Sequence, residues 1–410
     1  MRHPIALITV LGLLAGCGLS GTSTPLGGDA AKVSAFSRVT TDDSDLGGRI
    51  GAFSATAGRL KAEAIAQTGD AMVFATRSGQ VKSQPGPASG PAKVTGRFMV
   101  PALDGGVLPG ANATVKLIAG GREVASALVG KDGRFELTAP AGGAAELRFE
   151  MSNRYWKLSR YSWQGPAIPA LSGSVDAGVT QLEAGTANGQ AAYIHEIYNR
   201  SLALFEREDI SLDWWNRQLN TVWPANGNYY SWGTVNLSNA EWWDVNGHEI
   251  GHALHDLGIN GQMGGGQHKI DECYTTPLAW SEGFASFFSA AISLKRDDAD
   301  AKFEYMVPRR APLRFENMPG DVCEGPSNEW WTTAALWDLY DTHNEKDDQV
   351  SLEFRQIWGA LAKNNGKKAV GSVVDAYALI KDRVEPTQHA AMQRLMVFNT
   401  MPVRTFLAQR

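Results

Sequence analysis

The stretch HEIGH occupies residues 248–252 in WWDVNGHEIGHALHDLG (242–258), and Glu282 follows thirty residues after His252 in AWSEGFASFF (279–288). Four residues separate His248 from His252, so on a helix both imidazoles lie on one face. Two such rings supply half of a tetrahedral zinc site, which needs a further protein ligand and an open position. Glu249, beside the first ligand, stands where a general base can take a proton from a water in that open position. Val245-Asn246-Gly247 is expected to precede the helix, and Gly251 to leave room beside the metal.

The third ligand decides the class. A histidine six residues after His252 would give an all-histidine site, but Gly258 stands there. Glu282 begins a second apolar helix, and packing through Ile250, Leu254, Ala285 and Phe288 would bring it to the two histidines. Two alternatives stay open. Glu282 can be an acid favoured by a helix N-terminus, and His268 in the glycine-rich stretch GINGQMGGGQHK (258–269) can be the ligand if that loop folds back. His255 falls off the shared face and is read as a histidine favoured by the helix C-terminus. Asp256 and Asp271 are candidates to brace the ligands.

HExxH followed by Trp-x-Glu-Gly-x-Ala-x-Phe-Phe resembles the gluzincin metallopeptidases, with EGFASFFSA similar to the second zinc helix of the thermolysin and fungalysin groups. The resemblance covers about residues 190–345. It implies His248, His252 and Glu282 as ligands of one catalytic Zn2+ and Glu249 as general base. Those groups carry an aspartate four residues after the glutamate ligand, where this chain has Ser286, so the resemblance is to the clan more than to either group. A serine can still orient an imidazole, more weakly than a carboxylate. Gluzincins also place a histidine or tyrosine near the helix that corresponds to SNEWWTTAALWDLYD (327–341) to stabilise an oxyanion. Tyr340 and His343 are the available donors here, while Asn328 and Glu329 could cap that helix or touch the site. TVNLSN (234–239) is expected as the edge strand that accepts an extended peptide.

The rest of the chain sets the context. A net charge of -5 and the lack of any Lys/Arg run interleaved with aromatics argue against a nucleic-acid partner. MRHPIALITVLGLLAGC (1–17) has the proportions of a secretory signal, and LAGC resembles the lipobox of bacterial lipoproteins, which implies a lipid anchor on Cys17. Gly18 after the cysteine suggests the outer membrane, facing the periplasm or the cell surface. Residues 18–48 read as a flexible tether and 49–92 stay unassigned. In an exported chain the remaining cysteines, Cys273 and Cys323, are read as a disulfide.

From Lys93 to about residue 165, short alternating strands broken by Gly-Gly, Pro-Gly and Lys-Asp-Gly turns predict a small antiparallel sandwich. Its spacing resembles carboxypeptidase-regulatory or transthyretin-like modules. His195, in a helix predicted at 190–209, is read as structural. The fold expected is therefore multidomain: an all-β sandwich, then an α+β, mainly helical, zincin-like catalytic domain over 182–410. The function expected is zinc-dependent hydrolysis of peptide bonds outside the cytoplasm. A zinc-containing binding lipoprotein without turnover, or a hydrolase of peptidoglycan peptides, are the alternatives. The acidic runs at 297–300 and 345–348 are read as solvated faces, with calcium binding as a lesser alternative.

Overall fold

Strict alternation of buried and exposed side chains builds the first part of the molecule. It is clearest in strand β4 (Ala92–Pro101), where Ala92, Val94, Phe98 and Val100 point inward while Lys93 and Arg97 face solvent. The computed structural model describes residues 73–74, 77–84, 90–363, 366 and 368–403. The expected leader with Cys17, the tether at 18–48 and most of 49–92 lie outside the described residues.

Sixteen strands are described. β1 (Val73–Phe74), β2 (Arg77–Ser78), β3 (Lys82–Gln84) and β4 are followed by β5 (Val107–Pro109), β6 (Thr114–Ala119), β7 (Arg122–Leu128) and β8 (Arg134–Ala139). β9 (Ala145–Ser152), β10 (Trp156–Ile168), β11 (Ser174–Gln181), β12 (Leu219–Val222), β13 (Tyr229–Ser231) and β14 (Thr234–Asn236) come next, and β15 (Lys302–Phe303) pairs with β16 (Leu313–Arg314). One sheet runs β13-β14-β12-β10-β9-β6-β7 with β1 added on β10, and the other runs β2-β11-β4-β5 with β3 on β11 and β8 on β4. The two faces meet where Phe98 stacks on Phe149 at 4.3 Å and Phe135 meets the same ring edge-on at 5.7 Å.

A sandwich is thus present, but it departs from the expected one in two ways. β11 pairs parallel to β4, so the β region reaches Gln181 and is not purely antiparallel. β10 also pairs parallel to β12, with Trp156 opposite Leu219, so a single sheet passes from the sandwich into the second half. A parallel pair needs a long crossover, and this one carries helix α1 (Ala187–Arg207), capped by the Thr186 hydroxyl accepting from the Gly189 amide at 3.0 Å. His195 lies on its buried face. Its Nδ1 accepts from the Trp156 indole at 3.1 Å and its Nε2 donates to the Ala111 carbonyl at 2.7 Å, an arrangement that requires the neutral ring. Burial holds it near pKa 4 despite the Ala111 bond. The structural reading of His195 stands.

The helices are α2 (Trp243–Gly258), α3 (Thr276–Ser293), α4 (Glu329–Asp338), α5 (Phe354–Leu361), α6 (Val373–Lys381) and α7 (His389–Phe398). α3 is apolar nearly all round and buried from Leu278 to Ala291, which is the pattern of a helix at the centre of a core. It packs between α2 and α4. α2 begins five residues earlier than Val-Asn-Gly suggested, so those residues lie inside it. A Cβ on Gly247 would sit 2.3 Å from the Ser289 hydroxyl, and one on Gly251 would sit 2.8 Å from the Ala285 carbonyl. Gly251 therefore does not make room beside a metal; it lets the α2 and α3 backbones touch. Replacing it by valine should cost roughly 2–3 kcal/mol by overpacking, read as a lower unfolding midpoint in urea with unchanged slope, whereas Gly320→Ala, with nothing near its Cβ and no left-handed backbone, should lose far less.

Candidate metal centre

Helical spacing on α2 and the close approach of α3 bring three ligand atoms to one point. His248 Nε2 and His252 Nε2 lie 3.1 and 3.0 Å from Glu282 Oε2, and 3.0 Å from each other. All three side chains are essentially buried. Lone-pair atoms this close repel one another unless protons or a cation lie between them. A tetrahedral centre with such edges stands about 1.9 Å from each corner, close to the bond lengths of zinc to imidazole and carboxylate. The residues therefore fit a zinc ion of the His2Glu type.

The surroundings orient these side chains. The Ser286 hydroxyl is 2.9 Å from His248 Nδ1 and holds that ring. Asp244, in the first turn of α2, accepts the amides of Glu304 and Tyr305 at 2.8 and 2.7 Å and fixes the loop that brings Met306 to Ser286. Asp256 braces no ligand; with Arg217 it holds the Tyr230 hydroxyl of β13. His255 is no helix-end cation either. It accepts from the Trp280 indole at 2.9 Å, and burial, with His252, holds its pKa near 3.

Glu249 is fully buried, and neither carboxylate oxygen has a hydrogen-bond partner of good geometry among the described residues. The nearby Tyr230 backbone favours its ionised form only slightly. Burial pushes this carboxyl up to about 8, with His252 and His268 opposing and Glu282 adding to the rise. Burial also raises Glu282, but His252, His268 and the bonds from both ligand histidines outweigh it and hold that carboxyl well below the usual range.

The glycine-rich loop does fold back. Asn260 and Gln262 pair with Leu361 and Val370, the Gly264 amide donates to the Ser281 hydroxyl, and the loop carries His268 to the mouth of the triad. His268 Nε2 lies 3.1 Å from Glu329 and 3.8 Å from Glu282, and Nδ1 donates to the Gly266 carbonyl at 3.1 Å. Burial lowers its pKa, but Glu329 and Glu282 more than compensate and raise it to about 11. His268, Glu282 and Glu329 form a second set of potential ligand atoms adjoining the first. Of the two residues expected to cap the helix or touch the site, Asn328 caps it and Glu329 reaches His268, so Glu329 takes the second role. Its signal was local, an acid directly after the cap Asn328, whose side chain accepts the Trp331 amide and donates to the Ile270 and Glu272 carbonyls.

The disulfide Cys273–Cys323 is formed. Beside it, Cys323 donates its amide to the Asp271 carbonyl, and Arg309 and Arg310 grip the Asp271 carboxylate, which they hold far below its ordinary pKa. Asp271 thus pins the loop and braces no ligand directly. Tyr340 and His343 are not brought to the triad. The Tyr340 hydroxyl accepts from Arg207 at 3.2 Å and its ring packs on Phe287, Trp337 and Phe354, while half-buried His343 lies near Glu316.

No protein-family model matches the sequence, and no curated protein does. Among solved structures, a 9R-lipoxygenase from Cyanothece PCC8801 is similar at 12% identity over 38% of this chain and 30% of that one, with a TM-score of 0.16. A likeness that low carries no argument about fold or chemistry.

Two outcomes follow from this geometry. With a pKa near 8 in the metal-free protein, Glu249 is mostly protonated at neutral pH, and a cation beside it favours the charged form. Calorimetry in buffers of different ionisation enthalpy should therefore show zinc binding by wild type releasing about one proton more than binding by Glu249→Gln. Removing the disulfide, which spans 50 residues, should destabilise the protein by about 4 kcal/mol in the chain-entropy account. In the Cys273→Ser/Cys323→Ser variant, proteolysis should begin within residues 260–275.

Proposed function

We propose that the protein is a zinc-dependent peptidase of the His2Glu, zincin-like type, exported and lipid-anchored through Cys17. The observation that carries the reading is Glu249: among the described residues this buried carboxylate has no hydrogen-bond partner of good geometry, and it stands beside three converging ligand atoms, a placement that suits a base. The disulfide agrees with an oxidising compartment. When bound, zinc supplies Lewis acidity toward a water and a carbonyl, and a positive charge that draws Glu249 down into the range of a working base.

Glu249 takes the proton of the attacking water and delivers it to the departing amine. The edge strand differs from the expected one. β14 is flanked on both sides, by β12 and β13, so β13 (Tyr229–Ser231) is the end of the sheet among the described strands. An extended peptide added to β13 would run beside Tyr230, whose backbone lies near Glu249. His268, held by Glu329, is the donor best situated to face developing negative charge, in place of Tyr340 or His343.

Metal content and cleavage of an unfolded protein test the reading together. Wild type should carry one zinc and cleave; Glu249→Gln should keep the metal and lose at least about a hundredfold in kcat. Glu282→Ala should lose both, and His268→Gln should lower kcat roughly tenfold to a hundredfold with little change in KM. Zinc bound by wild type with no cleavage of any peptide would favour the binding-lipoprotein reading instead.

A further inference from the structure

Three elements converge at the mouth of the site as closely as two do at its floor. His268 comes from the glycine-rich loop, Glu282 from α3 and Glu329 from the first turn of α4, and one donor atom from each lies within 4.8 Å of the other two. His268 Nε2 stands 3.1 Å from Glu329 Oε2 and 3.8 Å from Glu282 Oε2, and none of the three side chains is more than 9% exposed. Two donors bound at about 2.1 Å to one small divalent ion stand roughly 3–4 Å apart. Both separations fall in that span.

The donors are prepared for an ion. Because His268 Nδ1 donates to the Gly266 carbonyl at 3.1 Å, Nε2 is the nitrogen turned toward the carboxylates, and a backbone carbonyl on the far nitrogen is a common outer partner of a ligating imidazole. Glu282 turns Oε2 to His248 and His252, while its Oε1, equally buried, has no partner of good geometry among the described residues. A proton on His268 Nε2 serves Glu329 at 3.1 Å but leaves Glu282, at 3.8 Å, beyond hydrogen-bonding reach. A cation between the three serves all of them. One imidazole with two carboxylates suits zinc, cobalt or manganese, whereas calcium takes oxygen donors alone.

We propose that His268, Glu329 and Glu282 hold a second divalent ion of the zinc class beside the first, with Glu282 shared between the two. This second ion rests on the zinc reading of the His248, His252 and Glu282 centre, because Glu282 serves both. Sharing also makes it the weaker of the pair: the first ion already offsets the charge of Glu282, and two cations so close repel each other. The protein therefore holds one ion tightly and takes the second only at higher metal concentration. While the second ion is bound, it occupies the place of the Nε2 proton, and His268 cannot donate to a substrate. It also ties the glycine-rich loop to α3 and α4, a cross-link that the loop otherwise makes only through hydrogen bonds and the His268–Glu329 pair.

The test uses the full chain, stripped of metal, loaded with one equivalent of zinc and titrated with cobalt(II) under equilibrium dialysis. Wild type should take up one cobalt beyond the zinc, with an affinity at least about tenfold below that of the first ion. His268→Gln and Glu329→Gln should each weaken this uptake by at least about a hundredfold, more than most outer partners of a metal site are worth, and should keep the zinc. A second measurement needs no variant: with cobalt in both sites, the shared carboxylate couples the two ions, so the paramagnetic resonance signal of the first cobalt should fall as the second binds. Uptake unchanged in both variants, or a first-cobalt signal untouched by the second ion, would place that ion elsewhere and overturn the proposal. Zinc bound with no further cobalt at millimolar concentration would overturn it too, leaving a proton to join His268 to Glu329 and the zinc reading of the first centre intact. A chain that binds no metal at all would sink both.

Discussion

The candidate centre depends on how close two helices can come. Gly247 and Gly251 give α2 a flat face, and Ala285 and Ser289 give α3 another. Without that contact, the short reach of a glutamate would not bring Glu282 to both imidazoles. Much else in the second half serves to hold this contact. α3 is buried on all sides, and Gly283, whose added Cβ would meet Thr332 at 2.4 Å, lets α4 approach from the opposite side. Such an arrangement sacrifices stability at the ligands, where buried polar atoms face one another, and recovers it in the packing around them.

Pre-organisation is spread over several modest contacts. Asp244 fastens the start of α2 to the 304–306 loop, and Asp256 fastens its last turn to Tyr230 of the edge strand. Ser286 sets one imidazole, and Glu329 sets His268. A carboxylate in place of Ser286 would raise the basicity of His248; Glu329 does not replace it, since it acts on His268.

What could be read in the sequence was what depends on local periodicity. The spacing of His248 and His252, the helix around Glu282, and the alternating strands from Lys93 each follow from a pattern within one element. Where the reading failed, pairing between distant segments decided. Nothing within TVNLSN reveals that β13 will cover its outer side, and nothing near Tyr340 reveals that its hydroxyl will meet Arg207, 133 residues away. His255 was misjudged for the same reason, because its partner Trp280 sits on another helix. The loop bearing His268 is rich in glycine, and its composition gives no sign that it folds back. Its anchors are backbone bonds to Leu361 and Val370, and residues of that kind carry no compositional mark.

The pairing of β10 has a consequence for how the chain can be divided. β10 bonds to β9 on one side and to β12 on the other, so the ladder that begins in the sandwich ends at β13, beside Glu249. The sandwich is consequently not a cassette. A cut at residue 165 would sever β10 itself, and a cut after Gln181 would leave β12 with an open side and the proposed substrate edge resting on three short strands. Grafting another module onto the helical half would have to supply a replacement strand in the same register, with Trp156 opposite Leu219, and a linker alone would not do.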